Sequence, residues 1–232
     1  VVAALKLEAL GYLALPKRQA VSPNAYRHRA IQDVFHDTTP IEGFLQDLMP
    51  LSIEVVKEKG SLLLFAFLLS RYHYLGYSRM GGAQMRFFVY AANHLVGLIG
   101  FSAAAWRVAG RDEYIGWSDT QRKTHLHRVV DNSRFLILPW VECKNLASRI
   151  LSHAARRLPG YWQQRYGYKP WLLETFVEKQ RFAGTCYKAA NWICVGDTLG
   201  RGKWDCQNRW NKPIKSIWLY PLDRRFRQLL CR

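Results

Sequence analysis

The chain has 232 residues, 34 Lys and Arg against 17 Asp and Glu, a formal charge of +17 and 49% hydrophobic residues. That apolar fraction excludes a disordered basic tail, and the length supports one large domain or two small ones, each able to bury a core. A charge of this size says nothing about fold, but it points to polyanionic partners, nucleic acid or an anionic membrane, with a basic surface kept for solubility as the alternative.

Residues 1–60 are neutral, with seven basic and seven acidic side chains. The whole excess therefore lies in 61–232, and residues 201–232 alone carry nine basic side chains against Asp205 and Asp223. No run reaches the ~18–20 apolar residues that span a bilayer, so no spanning segment is expected, and of the two polyanions nucleic acid, not a membrane, is the partner expected. The five cysteines (Cys143, Cys186, Cys194, Cys206, Cys231) form no CxxC pair and have no zinc-finger spacing. That pattern is expected of a reduced, cytoplasmic protein. The chain shows no signal peptide, but it starts at Val1 rather than Met, as if an N-terminal piece were missing or trimmed.

In chain order, Val1 to Leu10 reads as a helix closed by Gly11, and residues 1–60 as a small lead-in punctuated by Pro23, Pro40 and Pro50. Residues 61–232 read as the main domain. Leu62 to Tyr72 is expected to be a buried helix. Met85 to Tyr90 and Leu95 to Phe101 are β-rich runs joined by Ala91-Ala92-Asn93-His94, a hairpin signature. Ser118 is positioned to cap a helix running to Val130. The run Arg134 to Leu138 predicts a strand buried on both faces, and Asn145 to Leu158 an amphipathic helix stopped by Pro159-Gly160. Trp171 to Val177 is a further buried strand and Thr185 to Ala190 a short helix. Trp192 to Gly196 and Ile214 to Tyr220 are the last strands. Together these predict an α/β (α+β) domain around one mixed sheet.

This order resembles the GNAT acyltransferase fold. Phe135 to Leu151, FLILPWVECKNLASRIL, is similar to its core strand, phosphate-binding loop and long helix. YKAANW (Tyr187 to Trp192) is similar to its tyrosine signature, with Asn191-Trp192 in place of Gly-Phe. Six ordered motifs resemble the DruA family more closely: YHYLGY, RDEYIGWS, DNSRFLILPW, KNLASRIL, LLETFVE and GTCYKAANWICVGDTLGRG. They cover roughly residues 10–225. That resemblance implies a place in Druantia anti-phage systems or with transposon-associated proteins, and it supplies no settled reaction.

A coenzyme A pyrophosphate needs backbone N–H groups at a helix start and glycines that allow close approach. The stretch Glu142 to Ser148 has no glycine, and Glu142 opposes the anion; Lys144 partly compensates. On the GNAT resemblance Tyr187 would be the general acid, and the alternative is a core tyrosine. Gly196 to Lys203 interleaves three glycines with Thr198, Arg201 and Lys203, which suits phosphate contact, although a solvated hairpin would look the same. Arg209 and Lys212 extend this basic tail. Glu174, within the apolar run Leu173 to Val177, is either catalytic or locked in an ion pair, with Arg134 as the partner in view. Asp112 joins Glu174 as a candidate oxygen ligand for a divalent metal. His73 is a candidate base beside a helix end, and Cys186 a candidate nucleophile or an inert thiol. Trp162, Trp204 and Trp210 stand next to basic residues, as stacking platforms for bases do.

The leading expectation is a DNA-binding or DNA-processing protein of a defence system or mobile element. Glu174, Tyr187, Asn191 and His73 would line its cleft. The alternatives are an acyltransferase using acetyl-CoA and a non-catalytic subunit that docks an acidic protein partner.

Overall fold

A computed structural model describes residues 2–15, 31–200 and 212–232. Contacts divide the chain into Val1–Gln32 and Asp33–Arg232. In the first unit, helix α1 (Val2–Ala9) ends where Gly11 adopts φ +75°, as the Gly11 stop predicts. Every strand among the described residues lies in the second unit.

Seven strands form one sheet in the order β2-β3-β4-β5-β7-β9-β8. They are β2 (Leu51–Val55), β3 (Gln84–Ala91), β4 (His94–Ala103), β5 (Val129–Ile137), β7 (Leu172–Glu178), β8 (Ile193–Asp197) and β9 (Lys215–Pro221). Strands β1 (Ile41–Glu42) and β6 (Val141–Glu142) form a separate parallel pair. The edge strand β2 lies N-terminal to residue 60 and pairs in register with β3 (Leu51↔Ala91). The β3–β4 hairpin turns at Ala92 and Asn93, both with positive φ (45° and 68°), the conformation a tight hairpin turn requires. Every neighbouring pair in the sheet is antiparallel except β5 and β7.

The helices cover both faces. On β3, Phe88 meets Phe65 of α2 (Lys59–Tyr72), whereas the adjacent Phe87 meets Tyr161 of α5 (Leu146–Tyr166). Strand alternation sends consecutive residues to opposite faces. On β9, Ile217 and Leu219 enter a core with Ile115 of α3 (Ala109–Ile115) and with Phe226 and Leu230 of α7 (Phe226–Leu230). Trp218 between them points to Tyr187 of α6 (Thr185–Ala189).

Three sequence expectations shift. The helix capped by Ser118 is short: α4 (Asp119–His125), with a full capping box to Gln121, passes through a 3₁₀ turn at Leu126–Arg128 into β5 at Val129. Helix α5 does not stop at Pro159 but continues to Tyr166, because Leu158 and Trp162 on either side are buried. Burying each contributes about 2 kcal/mol or more, which offsets much of the ~3 kcal/mol cost of an internal proline. Finally, β5 is not buried on both faces: residues 133–137 are only half-buried.

A cleft between parted strands

The half-burial of β5 has a topological cause. β5 and β7 pair at Val129↔Leu172, Val130↔Leu173 and Asp131↔Glu174, and their pairing ends there. Beyond that point a cleft of about 520 Å³ opens, lined by residues 131–137 of β5 and by Thr175, Phe176 and Val177 of β7. A bulge in β5 at the same place lets Gly100 face Arg134 and Phe101 face Asn132, leaving Ser133 extra. The Asn132 side chain holds this bulge by donating to the Gly100 and Arg134 carbonyls at 3.1 Å each.

Polar groups bridge the parting strands. Thr175 Oγ1 donates to the Asn132 carbonyl at 2.9 Å, and the Tyr187 hydroxyl donates to Asn132 Oδ1 at 2.9 Å. Tyr187 lines the cleft but is 7% exposed, and burial holds its hydroxyl well above the ordinary tyrosine range. It therefore stays protonated, and its one O–H is committed as a hydrogen-bond donor to Asn132. The turn into α6 passes over the Trp218 ring at Gly184 (φ +71°), where a Cβ would come within 2.7 Å of the indole. Only glycine lets the chain approach so closely while turning left-handed.

His73 also lines the cleft, and burial, reinforced by the Arg134 charge, lowers its pKa to about 4. Its Nδ1 accepts the Leu75 amide at 3.2 Å, so the neutral ring carries its proton on Nε2. Cys186 is on the cleft wall with its thiol pKa raised by burial, the opposite of an activated nucleophile. Asn191 lies outside the lining residues; exposed and left-handed (φ 63°), it turns the chain from α6 into β8.

Glu174 and Asp112 do come together, but through a cation and away from the cleft wall. Arg111 Nη1 donates to Glu174 Oε2 at 2.7 Å and Nε donates to Asp112 Oδ1 at 2.9 Å. The Ala105 amide completes Glu174 at 2.8 Å, and Trp117 and the Val108 amide complete Asp112. The partner of Glu174 is thus Arg111, not Arg134, whose guanidinium instead donates to the Ser133 carbonyl and Ser78. Among the described residues no group of three or more His, Cys, Asp or Glu could hold a metal ion.

Of the candidate phosphate contacts, Arg201, Lys203 and Arg209 lie outside the described residues, as do Trp204 and Trp210. Thr198 Oγ1 accepts the Lys215 amide at 2.9 Å, closing the end of β9. Lys212 and Lys144 are exposed. Trp162 is 1% exposed and is core, so it offers no face to a base.

One cleft residue was not anticipated. Asp131 stands at the last paired position, opposite Glu174, and its buried Oδ1 has no hydrogen-bond partner. Burial and the neighbouring Glu174 push its carboxyl well above the usual range. The signal was present in the sequence, because an acid directly after Val129-Val130 carries the same penalty that drew attention to Glu174.

The arrangement of elements is similar to that of several acetyltransferases of known structure. Aminoglycoside acetyltransferase AAC(6')-Ib in complex with coenzyme A matches with a TM-score of 0.47 and 11% identity over 78% of this chain and 98% of that one. A GNAT-family acetyltransferase from Streptococcus pneumoniae gives 0.47 and 14% over 75% and 100%. The ribosomal-protein-S18-alanine N-acetyltransferase from Escherichia coli gives 0.45 and 10% over 75% and 95%. No curated protein sequence matches the chain. Residues 6–220 match the model of the Druantia protein DruA, and the chain belongs to the DruA family.

Proposed function

We propose that this chain is a nucleic-acid-binding protein of a Druantia-type defence system. The observation that carries this is where its acids go. Residues 61–232 contain 27 basic and ten acidic side chains. Six of those acids (Asp112, Asp119, Glu174, Glu178, Asp197 and Asp223) are engaged by Arg or Lys within the fold. Little negative charge is left to neutralise the remaining cations. A surface in that state attracts phosphate backbones, releasing counterions on binding. Labelled double- and single-stranded DNA, incubated with the protein with and without Mg²⁺, tests this by retention and by cleavage. Retention at low salt is expected. An absence of retention, with an acidic protein co-purifying instead, would replace this reading by that of an assembly subunit.

Acyl transfer is the second reading, supported by an open cleft beside two parted strands with the Tyr187 hydroxyl on its wall, whose proton would have to leave Asn132 Oδ1 to serve a leaving group. The residues before α5 do not fit a coenzyme pyrophosphate well. Glu142 is exposed there, and Ser148 Oγ turns back to the Asn145 carbonyl at 3.0 Å. A rise in unfolding temperature with millimolar coenzyme A would support this second reading.

A further inference from the structure

We propose that the solvent face of α5 is the surface that seats double-stranded DNA, with Arg149, Arg156 and Arg157 on its phosphates. This rests on the nucleic-acid reading above and assigns it a place. From Lys144 to Leu173 the sequence contains no acid. The apolar stripe of α5 (Leu146, Ile150, Leu151, Ala154, Ala155, Leu158, Trp162) is buried, which fixes the opposite stripe toward solvent. Arg149, Arg156 and Arg157 are exposed there.

Spacings of i, i+4, i+7 and i+8 put Arg149, His153, Arg156 and Arg157 on one side of the helix. None of these arginines has an ion-pair partner among the described residues. Their mutual field is visible at His153, whose pKa is lowered by burial and then by Arg157, Arg156 and Arg149. Like charges crowded on one helix face are destabilising, and a polyanion relieves them.

Shape and chemistry select the duplex. The aromatic side chains of α5 are turned to the protein: Trp162 is core, Tyr161 meets Phe87, and the Tyr166 hydroxyl donates to the Gln84 carbonyl. The face therefore presents no Tyr or Trp ring to an unstacked base, its one ring being the half-buried His153 crowded by Arg149, Arg156 and Arg157, and single strands gain little from it beyond charge. A convex helix of 21 residues, about 30 Å long, matches the major groove of B-form DNA, which admits a helix. The major groove of duplex RNA is too narrow for side chains to enter.

Fluorescence anisotropy with a labelled 24-base-pair DNA duplex tests this. Arg149→Gln, Arg156→Gln and Arg157→Gln combined are expected to weaken binding at least tenfold and to lower the slope of log affinity against log salt by about 2–3. A control of equal charge loss (Lys57→Gln, Lys59→Gln, Arg71→Gln) should weaken it far less. An RNA duplex of the same sequence should bind at least tenfold more weakly than DNA. Equal loss in the two triple variants, or equal affinity for RNA, would overturn the assignment to α5 while leaving nucleic-acid binding intact. If the unaltered protein bound no duplex at all, both readings would fall. Unchanged unfolding temperatures keep the comparison valid, since all six positions are exposed.

Discussion

Arg111 and Glu174 meet at 2.7 Å with neither side chain retaining accessible surface. The guanidinium also donates to Asp112 and to the Ala105 carbonyl. It thereby ties α3, the segment before it and the interior strand β7 into one charged knot. A buried pair of this kind is weak evidence for net stability, but removing one partner strands the other.

Arg111→Met is accordingly expected to destabilise the fold by about 3–5 kcal/mol, read from urea unfolding. Adding Glu174→Leu should restore much of the loss, because the orphaned carboxylate is gone. A loss below about 1 kcal/mol in the single variant would show that Glu174 is content without its partner, and would return it to the candidates for catalysis.

Asp131 predicts the reverse sign. Its folded pKa is raised, so its carboxylate opposes folding at neutral pH, and that cost disappears as pH falls and the group protonates. Asp131→Asn should therefore raise the urea midpoint at pH 7. The advantage over the unaltered protein should shrink in acid. A variant less stable than the parent at pH 7 would mean that the carboxylate has a partner at that site.

His73 is held neutral, with its pKa lowered to about 4 against an ordinary 6.5. The unfolded chain thus takes up a proton before the folded one does. The stability this contributes is complete above pH 6.5 and is lost as pH falls toward 4. His73→Gln should flatten that part of the stability profile relative to the parent. An unchanged slope would place the histidine's proton elsewhere.

Pro159 lacks an N–H inside a helix that continues past it. Pro159→Ala should stabilise the protein by about 1–3 kcal/mol if the missing hydrogen bond re-forms. A destabilised variant would indicate that the ring's packing outweighs that bond.

How far the sequence predicted this depends on the distance over which each feature acts. Local signals were reliable: the Ala92-Asn93 turn, the Ser118 N-cap and the short helix carrying Tyr187 are all present. They depend on residues within a few positions of one another. The cleft was not predictable in this way, because it exists where two strands some 40 residues apart cease to pair. The continuous apolar look of residues 135–138 reflects strand propensity, and whether a facing strand covers it is a property of the sheet. The same holds for Glu174: the penalty on a buried acid was evident, but Arg111 arrives from 63 residues away. Pro159 misled because burial on both sides of it outweighed a local helix breaker.

The central claim, that the uncompensated charge of this DruA-family chain serves a phosphate backbone, is tested most directly by the salt dependence of duplex binding. Anisotropy titrations of the unaltered protein between 50 and 200 mM salt should show affinity falling by about 10³-fold or more if six or more phosphates are engaged. An affinity that stays flat across that range, or no binding at 50 mM, would contradict it.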